Sequence, residues 1–545
     1  MKYTILKLAV LVGMIGFSGC TDFMDTTPTD RVSDKMIWQD EASANLYLNT
    51  FYAYIDRYGV FGNAQFNSNL TEGLTNTFKY GSVSMGALAG DANYYYVFNP
   101  ALISPDQNLL GTWGATYERI RRINEFLATM QKYSTFSTDV NAKLEAQARF
   151  FRAYLYFQLA KRHGGVILYT DLNMSKNKNR STKEETYDLI EKDLDYAASV
   201  LPKEWGAENR GRITKGAAFA FKSRAMLYAE RWDKVKASAD SVFNLQMYSL
   251  TDAYGDAWKG GNSEAILEYE YLRTGPSHGF DKSYAPFGEI ENGGGSGTPT
   301  QEMVESYEKA DGTQVDWSPW HVADGTTVRP PYEELEPRFQ ATVIYNGCEW
   351  KGNTMENSVG GTKGRFLEYG NDPYCQGKTT TGYYLRKLMD ETHTDYTYNS
   401  DQSWVEIRLA EVYLNRAEAN FRLGNTGAAL ADMNAVRTRP GVGLPAKSGL
   451  TGEELMAAIR QERKIELAYE GHLYWDMRRW KLAHKEYNNY RCHGMKITSE
   501  GADNRYEYVD CDFQDRKFLE KTYVLPIPSS ELSNNSGIEQ YDEWK

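Results

Sequence analysis

The residues with the most chemical potential lie between Ser403 and Trp480. Glu462, Glu466 and Glu470 recur at i, i+4 and i+8, which places three carboxylates in one stripe on a helix running from Gly452 to about Glu470. Arg460, Arg463 and Lys464 flank the stripe, and Trp475, Asp476, Arg478, Arg479 and Trp480 follow a Gly471-His472-Leu473 break. Paired carboxylates four residues apart can serve as acid and base in cleaving a glycosidic bond. The same pattern also makes a structural seam in which guanidinium forks hold carboxylates and indoles pack on guanidiniums. The regular helix and the lack of a cleft signal nearby favour the seam, and the expected protein has no chemistry of its own.

Other catalytic signatures fail on spacing. Gly377-Lys378-Thr379 has the end of a phosphate loop, but Asp372 stands where the loop needs glycine. No His-Glu-x-x-His or Gly-x-Ser-x-Gly occurs, and the seven histidines lack ligand spacing, so neither metal nor cofactor is expected. Asp510, Asp512 and Asp515 read as a solvated loop before they read as a calcium site. A formal charge of −12 without a long basic run argues against nucleic acid. Cys348, Cys375, Cys492 and Cys511 admit two disulfides in three connectivities, or free thiols.

The elements that must position these groups are helical. Leu409, Val412, Tyr413, Ala417 and Phe421 mark one buried face, Gly424-Asn425 breaks it, and Ala428, Leu430, Ala431 and Val436 build a second helix that Pro440-Gly441 ends. Arg416-Ala417 matches Arg152-Ala153 and Arg224-Ala225, and Ala237, Ala239 and Asp240 match Ala429, Ala431 and Asp432. This internal repeat predicts a mostly α fold of tetratricopeptide-like repeats, about four helix pairs, mainly over 112–250 and 403–480. Helices are predicted over Lys35 to Asp56, Thr112 to Met130, Val140 to His163, Lys183 to Leu201, Lys215 to Glu230 and Asp233 to Phe243. The period dissolves over 58–111 and 256–402, which read as long loop-rich insertions, rich in Gly and aromatics, of the kind that carry function.

The 545 residues begin with Lys2, Lys7 and an apolar stretch from Leu8 to Phe17 that is too short to span a bilayer. Residues 1–19 read as a signal peptide and 20–34 as a polar tether, leaving 35–545 as one domain. Removal of Lys2 and Lys7 takes the formal charge from −12 to −14. Phe17-Ser18-Gly19-Cys20 resembles a bacterial lipobox, with Phe17 where leucine is usual; the resemblance implies lipidation of Cys20 and anchoring rather than insertion. Aromatics make up 14% of the chain, with 40 Tyr and 12 Trp, a surplus expected of a recognition surface.

The run Glu462-Arg463, Glu466-Leu467, Glu470-Gly471, Trp475-Asp476 and Arg478-Arg479-Trp480 resembles the C-terminal signature of the SusD/RagB family, the outer-membrane nutrient-binding lipoproteins of the Bacteroidetes. Trp113, Tyr117, Ile120 and Asn124 fit the same family. So do Pro299-Thr300-Gln301 with Asp311-Gly312, and Tyr523 to Leu532, although Asn534-Asn535 departs from the usual Asn-Pro. The acids of the tether, Asp22 to Pro28, resemble the surface-export signal of these lipoproteins. The resemblance implies a cell-surface protein that binds a nutrient oligosaccharide and delivers it to a SusC-like TonB-dependent transporter, with a structural role for the carboxylate stripe. Its sugar platform is expected on the insertions, at Tyr94, Tyr96 and Asn99 and at Tyr284 and Trp320, with Phe287 or Trp317 as replacements. Aromatic faces would stack on sugar rings while Asn, Asp and Arg hold hydroxyls. The other readings of those aromatics are packing of the insertions onto the repeats and, for Tyr94 to Asn99, a strand with alternate tyrosines inward. The rival functions are a peptide-binding helical scaffold, with its ligand in the repeat groove, and a glycan-cleaving enzyme using Glu462 and Glu466.

Overall fold

The computed structural model describes residues 34–62, 70–80, 103–173, 177–291, 293–368, 377–501, 503–511 and 515–545. Ten helices carry the argument: α1 Glu41–Tyr58, α2 Trp113–Tyr133, α3 Thr138–His163, α4 Lys183–Val200, α5 Lys215–Tyr228, α6 Trp232–Leu245, α7 Leu409–Arg422, α8 Thr426–Arg437, α9 Gly452–Glu466 and α10 Leu473–Arg479. Helices α2 to α9 pack in chain order, and α1 lies on α3. Short turns join α2 to α3, α5 to α6 and α7 to α8, which makes the two helices of each unit antiparallel. The predicted repeat is therefore present, with α6 against α7 across the long 256–402 insertion.

Local sequence explains the starts and stops. Ser137 and Thr214 accept the amide protons of Val140 and Ala217, and Thr182 with Glu185 forms a reciprocal capping box on α4. Gly424, at a φ of 80°, permits the tight turn between α7 and α8. Residues 150–160 of α3 are buried on every face, which makes α3 the axis of the core. Phe221 of α5 packs against Phe150, Tyr154 and Phe157 of α3, and Ala217, Ala218, Ala220 and Ala225 let the backbones approach.

The repeated Arg-Ala pair has a common task. Arg152 reaches Asp193 of α4 at 2.7 Å, Arg224 reaches Glu411 of α7 at 2.7 Å, and Arg416 reaches Asp432 of α8 at 2.6 Å and Asp240 of α6 at 2.7 Å. In each unit the arginine ties its helix to another helix of the stack. The two matched acids of the repeat, Asp240 and Asp432, meet on one guanidinium.

Three departures from the sequence expectation have local causes. The first predicted helix is two pieces, Asp34–Ile37 and α1, because the Asp40 carboxylate caps α1 by accepting from the Ser43 amide. Glu470 is not on a helix: α9 ends at Glu466, Tyr469 and Gly471 have φ of 64° and 81°, and Tyr469 donates its hydroxyl to the Thr77 carbonyl. Trp404-Val405-Glu406-Ile407-Arg408 is a strand, fully buried, leading into α7. It pairs antiparallel with Ala265–Tyr269, setting Tyr269 opposite Trp404. A second pair, Phe78–Tyr80 with Gly297–Pro299, joins the two insertions, and a hairpin of His493–Glu500 with Asp503–Asp510 follows α10. All sheets among the described residues are two-stranded.

The main apolar core runs from Trp38 to Tyr541, and two smaller clusters lie among α7, α8 and the α9 region. The C-terminal segment closes it onto α3. Leu525 donates its amide to the Arg162 carbonyl at 2.8 Å, and its own carbonyl meets His163 Nδ1 at 2.9 Å. Tyr541 donates its hydroxyl to the Gly165 carbonyl at 2.7 Å. No described helix is long and apolar enough to cross a membrane.

Candidate functional site

The carboxylate stripe is buried and saturated. Glu462 is 3% exposed and Glu466 0% exposed. Arg338 bridges Glu336, Glu462 and Glu466. Arg408 holds Glu264 and Glu466 at 2.7 Å each and grips both oxygens of Glu470, at 2.9 and 2.7 Å. Arg439 adds a contact to Glu264 at 2.8 Å, and Lys387 reaches Glu470 at 2.6 Å. Burial alone would raise the Glu466 pKa, but Arg439, Arg408 and Arg338 overcome it and hold the group well below the usual carboxylate range. Burial against Arg408 and Lys387 leaves Glu470 at about 2. Glu466 and Glu470, buried and held ionised in this way, are poorly placed to donate a proton to a glycosidic oxygen.

The seam continues into α10. Arg463 binds Asp476 at 2.6 Å, while Arg479 binds Asp476 and both oxygens of Glu418 at 2.7 Å each. Trp480 donates its indole N–H to Glu418 at 3.0 Å. Arg478 differs from the expected ion pairing: it donates to the Tyr523 carbonyl and lies 5.4 Å from the ring centres of Tyr474 and Trp475. Lys464 leaves the stripe for the Ser306 hydroxyl, and Arg460 pairs with exposed Glu453. The partners Arg338, Lys387, Arg408 and Arg439 lie up to 128 residues along the chain from the carboxylates they hold, and no local spacing in the sequence announces them.

The insertions place their aromatics unequally. Tyr94, Tyr96 and Asn99 lie outside the described residues, as do Cys20 and the segments proposed as signal peptide and most of the tether. Tyr284 does not present a stacking face: it is 1% exposed, its ring 4.5 Å from Phe280 and 6.1 Å from Phe78. The cause is the strand pair between the insertions, which brings Phe78 over it. Phe287 is half-buried, with the Arg365 guanidinium and the Lys378 ammonium 5.8 and 5.6 Å from its ring centre.

Trp320 borders an open depression of about 520 Å³ together with Lys309, Gln314, Asp316, Val328 and Arg329. The turn that carries it is built locally. The Asp316 carboxylate accepts the Ser318 amide at 3.0 Å, and the Trp320 amide bonds the Trp317 carbonyl at 3.0 Å. The Trp320 indole donates to the Val328 carbonyl at 2.8 Å and lies 5.4 Å from Trp317. The ring is 8% exposed, so it offers an edge rather than a full face. Thr326, two residues before the lining residue Val328, pairs with Tyr506 of the C-terminal hairpin. An aromatic edge beside a cation, an anion and an amide is a lining suited to a polyhydroxylated ligand.

Among the described residues no cluster of His, Cys, Asp or Glu has metal-holding geometry. Asp510 and Asp515 both pair with Arg491, at 3.5 and 2.8 Å, and Asp512 lies outside the described residues. Cys348 is a buried thiol, pushed up to about 11 by burial, and Cys375 lies outside the described residues.

The model of the SusD family matches residues 263–544, and a model described as "Starch-binding associating with outer membrane" matches residues 25–227. A SusD-like protein of Formosa agariphila is 21% identical, aligned over 96% of this chain and 95% of its own. One of Bacteroides ovatus is 23% identical, over 98% and 97%. Among solved structures, a SusD-like protein of Bacteroides fragilis superposes with a TM-score of 0.80 at 28% identity, over 95% of this chain and 99% of its own. A SusD-like carbohydrate-binding protein of the same species gives 0.77 at 25%, over 92% and 100%.

Proposed function

The chain belongs to the SusD family, and from that premise we propose that it captures a nutrient oligosaccharide at the cell surface and delivers it to a SusC-like TonB-dependent transporter. The observation that carries this reading is the contrast in the use of polar groups. Every carboxylate of the Glu462–Glu470 stripe is held by buried cations away from solvent, while the polar groups beside Trp320, where Lys309 pairs with Glu334 and Arg329 with Glu333, are half-buried or exposed around an open depression. Such a protein binds without cleaving. The similar Bacteroides fragilis protein is described as carbohydrate-binding, which supports the same class of ligand. The insertions form the ligand side, with Trp320 as one wall and Tyr94, Tyr96 and Asn99 as the proposed platform. Cys20 is the proposed lipid anchor, and 35–545 acts as one domain.

A glycan array on the soluble form, followed by titration calorimetry and a reducing-sugar assay on each hit, tests the reading. Binding of an oligosaccharide with no release of reducing ends is expected, and Tyr96→Ala is expected to weaken it. Failure to bind any glycan, or turnover that Glu466→Gln abolishes, overturns it. For the anchor, Cys20→Ala is expected to move the protein from the membrane to the soluble fraction in cells lacking the transporter.

A further inference from the structure

A smaller depression of about 280 Å³ lies between α1 and α2, lined by Ala53, Tyr54, Arg57, Ala115, Glu118, Arg119 and Arg122. Its charge is unbalanced. Arg122 pairs with Glu118 at 3.0 Å, and both are well exposed. Arg119 has no carboxylate partner among the described residues: it donates to the Tyr58 hydroxyl at 2.7 Å and lies 5.8 Å from the Tyr54 ring centre. Arg57 is exposed and has no hydrogen-bond or ion-pair partner among the described residues. The neighbouring acid, Asp56, turns away to accept the Tyr271 hydroxyl. Two uncompensated guanidiniums on a chain of net charge −12 are therefore held around one small concavity.

The floor supplies an independent observation. Tyr54 is 7% exposed, its ring fixed by stacking on Phe51 and by an edge contact with Phe151, yet its hydroxyl has no partner among the described residues. Tyr54 lines the same concavity as Arg122 and Arg119, whose charges act on it most strongly after burial. A phenol hydroxyl without a protein partner, on a ring held beside two cations, is a ready donor to an anion.

We propose that this depression binds the oxyanion of an acidic sugar residue, a carboxylate or a sulfate ester, with Arg57 and Arg119 supplying charge and Tyr54 a hydroxyl donor. Guanidinium forks match both anions in a bidentate manner, and the concavity is of a size for one sugar ring rather than a polymer surface. The site rests on the glycan-binding reading only for the sugar that carries the anion. It is built from α1 and α2 and shares no residue with the Trp320 depression.

The test is an NMR titration with three probes: glucuronate, glucose 6-sulfate and glucose. Glucuronate, the sulfate ester or both are expected to bind the wild-type protein more tightly than glucose. Whichever binds identifies the anion the site takes. Arg57→Glu is expected to weaken that binding at least roughly tenfold, as loss of a charged hydrogen bond does, and Arg57→Lys to retain part of it. Circular dichroism checks folding, and Arg57 has no contact whose loss would unfold the chain. Equal affinity for all three probes overturns the proposal, and so does an anion preference that survives Arg57→Glu. Neutral-oligosaccharide binding is measured on the same variant and is expected to stay at the wild-type value. Loss of neutral binding in the wild type would defeat the transport reading while leaving the anion site standing.

Discussion

Arginines in two regions of this molecule make opposite bargains with water. In the α9–α10 seam Arg338, Arg408, Arg463 and Arg479 are buried, and each meets two or more carboxylates or polar oxygens. Between α1 and α2, Arg57 and Arg119 stand at a solvent-open concavity without an acid partner among the described residues, the one lining acid, Glu118, being paired with Arg122. The first group is spent on holding repeats and insertions together. The second keeps its binding capacity. The lesson is that residue type carries less information than saturation: a charged cluster that already satisfies itself is architecture, and one that does not is receptive.

Acid should break the comparison most completely. Glu411, Glu418, Glu466 and Glu470 all have pKa values depressed below their unfolded values despite their burial, so the unfolded chain binds more protons as pH falls below about 4.5. The stability they contribute is present above that pH and is lost toward about 2. Burial also depresses His163 to about 3 and His278 to about 4, so loss of stability starts below about 6.5. Glu72 opposes this trend, since burial raises it to about 7, and its contribution is lost as pH rises from about 4.5 through 7. Urea midpoints measured from pH 7 to 3 should decline, steepening below about 4.5; a flat profile would show that the seam is not ionised.

Glu466→Ala comes next. It leaves Arg408, Arg338 and Arg439 short of a shared partner, and removal of one member of a buried pair costs on the order of 3–5 kcal/mol. Chemical denaturation should show a loss of that size. A change near zero would mean that the network reorganises or is hydrated. Smaller still is the effect of Trp320→Ala on the ligand: about 2 kcal/mol of oligosaccharide affinity by calorimetry, the scale of an aromatic anchor. Unaltered affinity would move the site away from this depression. The smallest effect is on stability in Arg57→Ala, expected within about 0.5 kcal/mol because the side chain is exposed and has no partner among the described residues. A larger loss would place Arg57 with the seam arginines rather than against them.

Much of this was legible in the chain. The repeat could be read from Arg152, Arg224 and Arg416, because a stacked unit must present the same contact at the same helical position. The stripe at 462, 466 and 470 read as a seam because its spacing is that of a regular helix with no cleft signal nearby, although Glu470 lies past the helix end. What stayed hidden were the cations themselves. Arg338, Lys387 and Arg408 come from the insertion and from a strand whose partner is Ala265–Tyr269. Tyr284 illustrates the same limit. An aromatic in a Gly-rich stretch reads alike as platform or packing, and only Phe78, brought over it by the strand pair between the insertions, decides between them. The α1–α2 concavity escaped for the converse reason, since an arginine's lack of partners is a property of the fold and not of its neighbours in sequence.

The closure of Leu525 and Tyr541 onto α3 has a consequence for the order of assembly. The C-terminal end of α3 is completed by groups that follow it by more than 350 residues. A chain that emerges from the ribosome N-terminus first can form α2 to α6 early, from short-range contacts, but holds the end of α3 open until Leu525–Tyr541 arrives. The last segment thus acts as a latch on the earliest helices. Premature termination before Leu525 would be felt in α3, far from the truncation in sequence, as an uncapped and fraying helix end.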